Sequence, residues 1–538
     1  MSASETPTTS KLKVSIQTLG CRLNQYEADG IMNRFEASGR YVALTQNDLA
    51  TGQTNPGGLA KSGGEESRAA ADIAIINTCT VTDQADSRNR NAIKAALKKN
   101  PNCRVIVTGC FAQTDPEKLR EIPGVKLVVG NDRKPALFEL IDELIQNEEA
   151  DQKPGEGRSQ EQVAEHQASY HPEPARFRDH AINGQYGLRP VLENPFGYGD
   201  VVPFGHTRAY MKIQDGCDRR CTYCKIPMAR GRGISRSLTD ILEHVRRLDD
   251  AGVPEIVLTG VNLGWYRDAN TIDSASGKSL RFAGLIEKIL ETLSYGRLRL
   301  SSIEPCDVDE ALGELSLHPR FCDFVHVPLQ SGSAKILKAM RRTYSPFSFL
   351  KRMEKIRSVN PQLFCGTDVI VGFPGESEAD FADSLQLCAD TGMANIHGFR
   401  YSPRSGTPAA NFADHISHGV VRERMNRLIQ AKEAGHRQYA ATQLGQVREG
   451  VVEKLTVTPP SDLPGAASEG IVAGEALSDN YLRIGFAMPE SLAKSAGIQK
   501  GGLARFALRD LDQASGALSG ELVDVVDATD KTAAAVHA

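Results

Sequence analysis

The sequence is poor in several features that would indicate particular classes of protein. It has one Trp, and aromatic residues are only 6% of its 538 residues, so an extended base-stacking platform is not indicated. It has no apolar run long enough for a transmembrane helix, and its N-terminal MSASETPTTSKLKV has no apolar signal segment. A net charge of −4 excludes a uniformly basic nucleic-acid coat. We therefore expect a cytoplasmic protein whose eleven cysteines are reduced and serve as ligands or core residues.

The length predicts several domains, and the first is an α/β domain at residues 11–146. Short apolar runs such as DIAII and RVIVT alternate there with helix-like segments, which is typical of an open parallel sheet. Residues 45–68 are rich in Gly, Ser and Asn and are expected to form a surface insertion. Residues 147–205 are similar in composition, and we expect a largely irregular linker.

The second half of the chain shows two further patterns of predicted secondary structure. Residues 206–440 contain six strand candidates separated by helices, which predicts a partial α/β barrel. Residues 441–527 contain short β-like runs punctuated by Gly and Pro, which predicts a small antiparallel β-barrel. Residues 528–538 are expected to be a disordered tail.

Three cysteines share one short loop after the first barrel strand. Cys217, Cys221 and Cys224 lie in QDGCDRRCTYCKIP, a C-x₃-C-x₂-C spacing. Thiolates bind zinc or iron–sulfur clusters, and a structural zinc normally takes four protein ligands. Three ligands suit a cubane cluster that keeps one iron open for a small molecule. The alternative is a zinc knuckle whose fourth ligand lies elsewhere in the chain.

Three more cysteines occupy similar positions in the N-terminal domain. Cys21, Cys79 and Cys110 each follow a predicted strand and precede a helix. The carboxyl ends of strands in an open α/β sheet line one crevice, so these thiols can meet despite their separation in sequence. Helix N-termini also favour anionic thiolates. The alternative is three core cysteines placed by chance.

These motifs together resemble the methylthiotransferase family of radical S-adenosylmethionine (SAM) enzymes. The resemblance covers nearly the whole chain and implies an N-terminal domain, a radical SAM barrel and a C-terminal TRAM-like barrel. It implies two 4Fe–4S clusters: an auxiliary cluster on Cys21, Cys79 and Cys110, and a SAM-binding cluster on the catalytic Cys217, Cys221 and Cys224. It also implies reductive cleavage of SAM, with transfer of a methylthio group to a C–H carbon.

Local sequence motifs indicate one branch of that family. The segments TLGCRLNQYEADG, NTCTVTDQADSRNR and GCFAQ are most similar to the branch that acts on carbon 2 of N6-threonylcarbamoyladenosine at tRNA position 37. The rivals within the family are methylthiolation of isopentenyl-adenosine in tRNA and of a ribosomal-protein aspartate. A rival of another class is a non-catalytic, zinc-containing RNA-binding protein.

Several further residues are candidates for the SAM pocket. The resemblance places Tyr223 beside the cluster and Gly260 and Asn262 after the second barrel strand. Polar residues in or at the ends of later strands are also expected to carry chemistry. These are Glu304, Gln330 and Asp368.

Basic residues flank the SAM-cluster loop and are expected to contact RNA or the SAM carboxylate. The tRNA anticodon stem-loop and a small electron donor such as flavodoxin or ferredoxin are the implied partners. The predicted C-terminal barrel has 7 Lys and Arg against 12 Asp and Glu, so a phosphate path there is not favoured. The basic residues near the loop are Arg219, Arg220, Lys225, Arg230, Arg232 and Arg236.

Overall fold

The computed structural model describes residues 11–45, 48, 70–151, 177–178, 189–190, 194–272, 277–460, 469–513 and 516–527. Most of the predicted insertion at 45–68, most of the linker at 147–205 and the tail at 528–538 lie outside these ranges. The chain forms two compact units. Unit 1 comprises residues 1–205 together with 225–232, and unit 2 comprises the remainder.

Unit 1 is built on a five-stranded sheet in the order β2-β1-β3-β4-β5. All four strand pairs are parallel, which confirms the predicted open parallel α/β sheet. The edge strand β2 was not predicted. A two-stranded antiparallel pair follows further along the chain. The strands are β1 Leu12–Thr18, β2 Tyr41–Leu44, β3 Ile73–Thr78, β4 Arg104–Gly109, β5 Val125–Val129, β6 Phe177–Arg178 and β7 Arg189–Pro190.

Helices pack on this sheet through apolar side chains. Phe111 and Leu119 join Ile93 in a buried cluster with the central strand residues Val105 and Val107. On the first helix Phe35 packs edge-on against Phe138, with ring centroids 5.0 Å apart. Burial of these side chains drives the assembly of the unit. The helices are α1 Arg22–Ala37, α2 Asp83–Lys99, α3 Cys110–Thr114, α4 Pro116–Arg120, α5 Leu137–Asp151 and α6 Ile226–Arg230.

Unit 2 begins with six parallel strands in chain order. Two three-stranded sheets, β14-β11-β8 and β15-β16-β17, are joined by an isolated parallel bridge between Ser302 and His326. This arrangement confirms the predicted partial α/β barrel. Two short antiparallel pairs, β9–β10 and β12–β13, were not predicted. The strands are β8 Ala209–Lys212, β9 Gln214–Asp215, β10 Ile234–Ser235, β11 Glu255–Thr259, β12 Arg267–Ile272, β13 Ser279–Arg281, β14 Arg297–Leu300, β15 Phe324–His326, β16 Phe364–Val371 and β17 Asn395–Arg400.

Helices connect the barrel strands and share one buried core with them. Leu285, Ile286 and Ile289 of one helix pack with Leu258 and Leu300 of the strands. Parallel strands need crossovers of this kind. The helices are α7 Leu238–Asp250, α8 Phe282–Thr292, α9 Glu310–Leu315, α10 Ala334–Ala339, α11 Pro346–Val359, α12 Glu378–Asp390 and α13 His418–Thr442.

The C-terminal segment is a closed five-stranded barrel in the order β18-β19-β20-β22-β21. Its pairs are antiparallel except β20 with β22, which is a short parallel pair, so the prediction of an antiparallel barrel is correct for four pairs of five. The elements are β18 Val447–Thr458, β19 Ile471–Ser478, β20 Arg483–Pro489, α14 Glu490–Ala496, β21 Leu503–Leu511 and β22 Leu518–Val526.

A buried ionic network joins this barrel to the first barrel sheet. Glu255 is fully buried and accepts from Arg297 Nε at 2.9 Å and from Arg299 Nε at 2.7 Å. The same two guanidinium groups donate to the carbonyl oxygens of Leu477 and Ser478 at 2.9 and 2.8 Å. The three strands β11, β14 and β19 are therefore joined through one carboxylate. In the part of the chain that the structure describes, no helix has the length and apolarity needed to span a bilayer.

Candidate active site

The three N-terminal cysteines lie at the carboxyl ends of three adjacent strands. Cys21 follows β1 and is the N-cap of α1, Cys79 follows β3, and Cys110 begins α3 directly after β4. The order β1-β3-β4 makes these strands neighbours. Exposure to solvent decreases from Cys21, which is exposed, through Cys79, which is half-buried, to Cys110, which is buried. The structure thus brings together the three thiols that the sequence placed in one crevice.

Two glycines allow these loops to approach one another. Gly20 has φ +108°, and a β-carbon there would lie 2.9 Å from Cys79 Sγ. Gly109 has φ +99°, and a β-carbon there would lie 2.4 Å from the carbonyl oxygen of Thr78. Both positions require glycine because of the backbone conformation and the close neighbour. Each glycine directly precedes a candidate ligand, so the close approach positions that ligand.

The thiols also affect one another electrostatically. Burial, together with the nearby Cys110 and Cys21 thiols, raises the pKa of Cys79 to about 12. The Cys79 thiol is therefore protonated at neutral pH when no cation is bound. A cluster that binds here must displace that proton, which couples iron binding to proton release.

Two asparagines fix the cysteine loops. Asn89 Nδ2 donates to the Cys79 carbonyl oxygen at 2.8 Å, and its Oδ1 accepts from the Cys79 N–H at 3.4 Å. Asn131 Nδ2 lies 3.5 Å from Cys110 Sγ and 2.9 Å from the carbonyl oxygen of Ala229. The Oδ1 atom of Asn131 is buried and has no partner among the described residues. Asn131 therefore contacts both a candidate ligand and helix α6.

A buried charged centre lies behind these loops. Lys134 Nζ donates to Glu27 Oε2 at 2.5 Å and to Asn77 Oδ1 at 2.8 Å, and it lies 3.5 Å from Asn24 Oδ1. Three acceptors match the three donors of a charged ammonium group. Arg230 donates to the same carboxylate and to Asn24 at 2.9 and 2.7 Å. Burial raises the pKa of the Cys21 thiol, and the nearby Arg230 charge acts against that rise.

The second cysteine loop follows β9 in unit 2. Cys217 and Cys221 are buried and Cys224 is half-buried. The loop closes on itself where the Cys224 N–H donates to the Cys221 carbonyl oxygen at 3.1 Å. Thr222 Oγ1 donates to the Ala339 carbonyl oxygen at 2.9 Å, which ties the loop to helix α10. Burial raises the pKa of Cys217 to about 11, against the lowering effect of the Arg219 N–H.

Two arginines contact this loop: Arg342, which the sequence did not single out, and Arg219, which it placed there. Arg342 Nη1 lies 3.4 Å from Cys221 Sγ, and its Nη2 donates to Glu304 Oε2 at 2.5 Å. Arg219 Nη2 lies 2.9 Å from Cys306 Sγ and 3.6 Å from Glu304 Oε2. Cys306 is only half-buried, whereas Cys322, Cys365 and Cys388 are buried.

The loop after β11 presents an unsatisfied amide. Asn262 is 3% exposed, and neither of its side-chain polar atoms has a hydrogen-bond partner among the described residues. Its N–H donates to Gln214 Oε1 at 2.8 Å. A β-carbon on Gly260 would lie 3.1 Å from Gln214 Cβ. A buried amide without a partner is costly unless a ligand completes its hydrogen bonds, which fits a bound polar molecule such as SAM.

The remaining predicted pocket residues have identified neighbours. Asp368 Oδ1 accepts from His326 Nε2 at 2.9 Å, and the Gln330 N–H donates to the Asp368 carbonyl oxygen at 2.7 Å. Gln330 has φ +65°, which is a strained conformation for a residue with a side chain. Tyr223 packs on a small apolar cluster that includes Met340. The role of these three residues in SAM binding stays a prediction.

The expectation that the basic residues of this loop contact RNA is wrong for three of them. Arg230 is 1% exposed beside Glu27, Lys225 is 6% exposed and donates to Asp115 at 2.7 Å, and Arg236 is 8% exposed beside His244. Buried and paired side chains cannot meet a phosphate backbone. Lys225 and Arg230 belong to the segment that forms part of unit 1.

The donor sets consist of thiols, which suit iron–sulfur clusters. Among the described residues, no group of three or more His, Cys, Asp and Glu side chains has the spacing for one metal ion. A four-iron cubane is wider than an ion, and it takes thiolates and leaves one iron open when only three are supplied. Each trio of cysteines therefore fits such a cluster through its ligand chemistry.

Comparisons with known proteins identify the family of this chain. The model of the radical SAM superfamily matches residues 211–388, and that of an uncharacterised protein family, UPF0004, matches residues 57–130. A threonylcarbamoyladenosine tRNA methylthiotransferase of Bacillus subtilis is 32% identical over 89% of this chain and 91% of its own length. A threonylcarbamoyladenosine tRNA methylthiotransferase of Thermotoga maritima is 33% identical over 82% of this chain and 86% of its own length. A tRNA-2-methylthio-N(6)-dimethylallyladenosine synthase of Methylacidiphilum infernorum is 33% identical over 82% and 84%.

The fold and the two cysteine trios thus define an iron–sulfur enzyme of the radical SAM class. Within that class the chain belongs to the methylthiotransferase family, because relatives above 30% identity align over most of both chains. The enzyme uses SAM and two 4Fe–4S clusters.

Proposed function

We propose that this enzyme adds a methylthio group to carbon 2 of N6-threonylcarbamoyladenosine at position 37 of tRNA. The observation that carries the proposal is the pair of cysteine trios, one at the ends of β1, β3 and β4 and one on the loop after β9. The first suits an auxiliary cluster that supplies sulfur, and the second a cluster that binds SAM.

Two observations favour the threonylcarbamoyl substrate over the substrates of the other branches. The motifs around Cys21, Cys79 and Cys110 resemble that branch, and the Bacillus subtilis relative aligns over 483 residues. Overall identity to the isopentenyl-adenosine enzyme is similar, so the local motifs decide between the two tRNA substrates. Neither the ribosomal-protein substrate nor the non-catalytic zinc protein is favoured.

The bound clusters and SAM would supply reductive C–S cleavage and a source of sulfur. The chain's own residues supply ligands, charge and orientation. Cys217, Cys221 and Cys224 would hold the SAM cluster, and Arg342 next to Cys221 would stabilise its negative charge. Asn262 would orient SAM, because its buried amide has no partner among the described residues. Cys21, Cys79 and Cys110 would hold the auxiliary cluster.

The proposed partners are the tRNA anticodon stem-loop and a small electron donor such as flavodoxin or ferredoxin, in the cytoplasm. We also propose the domain limits 11–146, 206–440 and 441–527, with residues 225–232 built into the N-terminal unit. The C-terminal barrel is acidic overall, so we assign the main RNA contacts to unit 2 outside it.

The test is mass spectrometry of tRNA nucleosides and ribosomal proteins from a deletion strain, before and after complementation. Loss of only the methylthio form of N6-threonylcarbamoyladenosine, restored by this chain, is expected. Loss of methylthio-isopentenyl-adenosine or of the modified ribosomal protein instead would replace the proposed substrate. Metal analysis of anaerobically purified protein should give about eight irons per chain and no stoichiometric zinc.

A further inference from the structure

A cavity in unit 2 is lined by side chains of opposite charge. Its volume is about 510 Å³, and it lies beside the SAM-cluster loop, because Asp218 of that loop is part of its wall. The hairpin β12–β13 contributes Arg267 and Arg281, and the loop after β11 contributes Trp265. The chain therefore provides a polar chamber next to the site where SAM would bind.

The two arginines stand directly opposite each other. Arg267 pairs with Arg281 in the antiparallel register of the hairpin, and both side chains are exposed. Like charges at directly opposed positions destabilise a sheet. Neither side chain forms an ion pair within the described residues. Paired guanidinium groups of this kind suit a carboxylate or a phosphate, whose charge removes the repulsion.

The rest of the wall offers an aromatic surface and acceptors. Trp265 is the only Trp of the chain, it is 37% exposed, and the Arg219 guanidinium lies 5.1 Å from its ring centroid. Asp218 and Asp307 contribute carboxylates to the wall. Gly264 allows Asp307 to approach, since a β-carbon there would lie 2.1 Å from Asp307 Oδ2. The chamber thus combines cations, a ring and hydrogen-bond acceptors.

We propose that this cavity binds the threonylcarbamoyl group of the substrate nucleoside, with Arg267 and Arg281 on its carboxylate. The urea N–H and hydroxyl groups of that substituent are donors, which suits Asp218 and Asp307. The isopentenyl group has neither a charge nor a hydrogen-bond donor. It would therefore not remove the repulsion between the two guanidinium groups. This inference rests on the proposed function and deepens it by naming the residues that select the substrate.

The experiment measures binding of the reconstituted holoenzyme to fluorescent anticodon stem-loops that differ only at position 37. Wild-type protein should bind the threonylcarbamoyl-adenosine stem-loop about tenfold more tightly than the adenosine stem-loop. Arg267→Gln and Arg281→Gln should each reduce that preference several-fold and leave adenosine binding unchanged. Arg267→Lys, which keeps the charge but loses the paired donors, should give an intermediate preference. The matched control is Arg246→Gln, an exposed arginine of α7 outside the cavity, which should change nothing.

A second readout uses the sole tryptophan as a reporter. Free N6-threonylcarbamoyladenosine should change Trp265 fluorescence, and adenosine should do so only at much higher concentration. If the variants bind both stem-loops more weakly by the same factor, the arginines contact RNA phosphates. If the variants bind SAM more weakly, the arginines contact the SAM carboxylate. Either result overturns the proposal. Failure of wild-type enzyme to thiolate the substrate in the nucleoside assay would overturn the proposed function instead, so the two failures are distinguishable.

Discussion

Arg230 and Glu27 lie 203 residues apart in the chain, yet Arg230 Nη1 donates to Glu27 Oε1 at 2.9 Å. Both residues are almost fully buried. Arg230 is the sixth residue after Cys224, so the continuation of the SAM-cluster loop is part of the unit that contains the auxiliary cysteines. The ion pair therefore lies within unit 1, where it joins the segment 225–232 to helix α1.

Replacing Arg230 tests whether this pair supports the auxiliary site. Arg230→Met should destabilise unit 1 by about 3–5 kcal/mol, because it removes one partner of a buried carboxylate. The amount of iron bound by the auxiliary cysteines should also decrease in this variant. Thermal denaturation and iron analysis check both effects. Arg232→Met, an exposed residue in the same segment, is the control and should match wild type.

Removing single ligands should separate the two clusters. Cys217→Ala should abolish SAM cleavage and leave about four irons, whereas Cys110→Ala should retain SAM cleavage and lose methylthiolation. Cys103→Ala, a buried cysteine in neither trio, should keep all the iron. Iron content and the yield of 5′-deoxyadenosine are the measurements. Methylthiolated tRNA from Cys110→Ala enzyme would show that the auxiliary ligands are assigned wrongly.

Asn262 should affect stability and binding in opposite directions. Asn262→Leu removes a buried amide with no partner among the described residues, so the apoprotein should gain about 1 kcal/mol. The same change should weaken SAM binding about tenfold, since the amide can no longer donate to the ligand. Denaturation of the apoprotein and equilibrium binding of SAM measure the two effects. A loss of stability with unchanged SAM affinity would assign Asn262 to the fold alone.

The buried carboxylate under the C-terminal barrel should be essential for stability. Burial alone would raise the pKa of Glu255, but Arg299 and Arg297 keep it well below its ordinary value. Glu255→Gln should cost about 3–5 kcal/mol, because three arginines lose their counter-charge. Urea denaturation of this variant and of the exposed Glu287→Gln gives the comparison. A cost below about 1 kcal/mol would contradict the role of the network.

Asp29 should make unit 1 less stable as the pH rises. Burial raises the pKa of Asp29 to about 8, although Gln25 donates to its Oδ1 at 3.0 Å. The folded state therefore binds a proton that the unfolded state releases near pH 4. The free energy of unfolding should fall between pH 6 and 8, by at most about 1.4 kcal/mol per pH unit. Asp29→Asn should remove this dependence and the exposed Glu36→Gln should retain it, as measured by denaturation across that range.

Much of the fold was predictable from the sequence. The six strands predicted within residues 206–440 occur as six parallel strands of a partial barrel. The strand Tyr41–Leu44 and the hairpin β12–β13 were missed, because their short runs lie beside polar segments and show no clear apolar period. The parallel pair that closes the C-terminal barrel was also missed, since strand direction at closure depends on contacts distant in sequence.

The sequence by itself predicted the two cysteine trios as ligand sets. A C-x₃-C-x₂-C loop is local, and strand ends in a parallel sheet converge whatever surrounds them. Only the tertiary structure decided what the charged residues do. Arg230 and Lys225 look like solvent-exposed RNA contacts in the sequence but are buried against carboxylates, and Arg342 approaches Cys221 from 121 residues away. The physical reason is that the fate of a charge depends on its burial and its partner, and both are set by segments far apart in the chain.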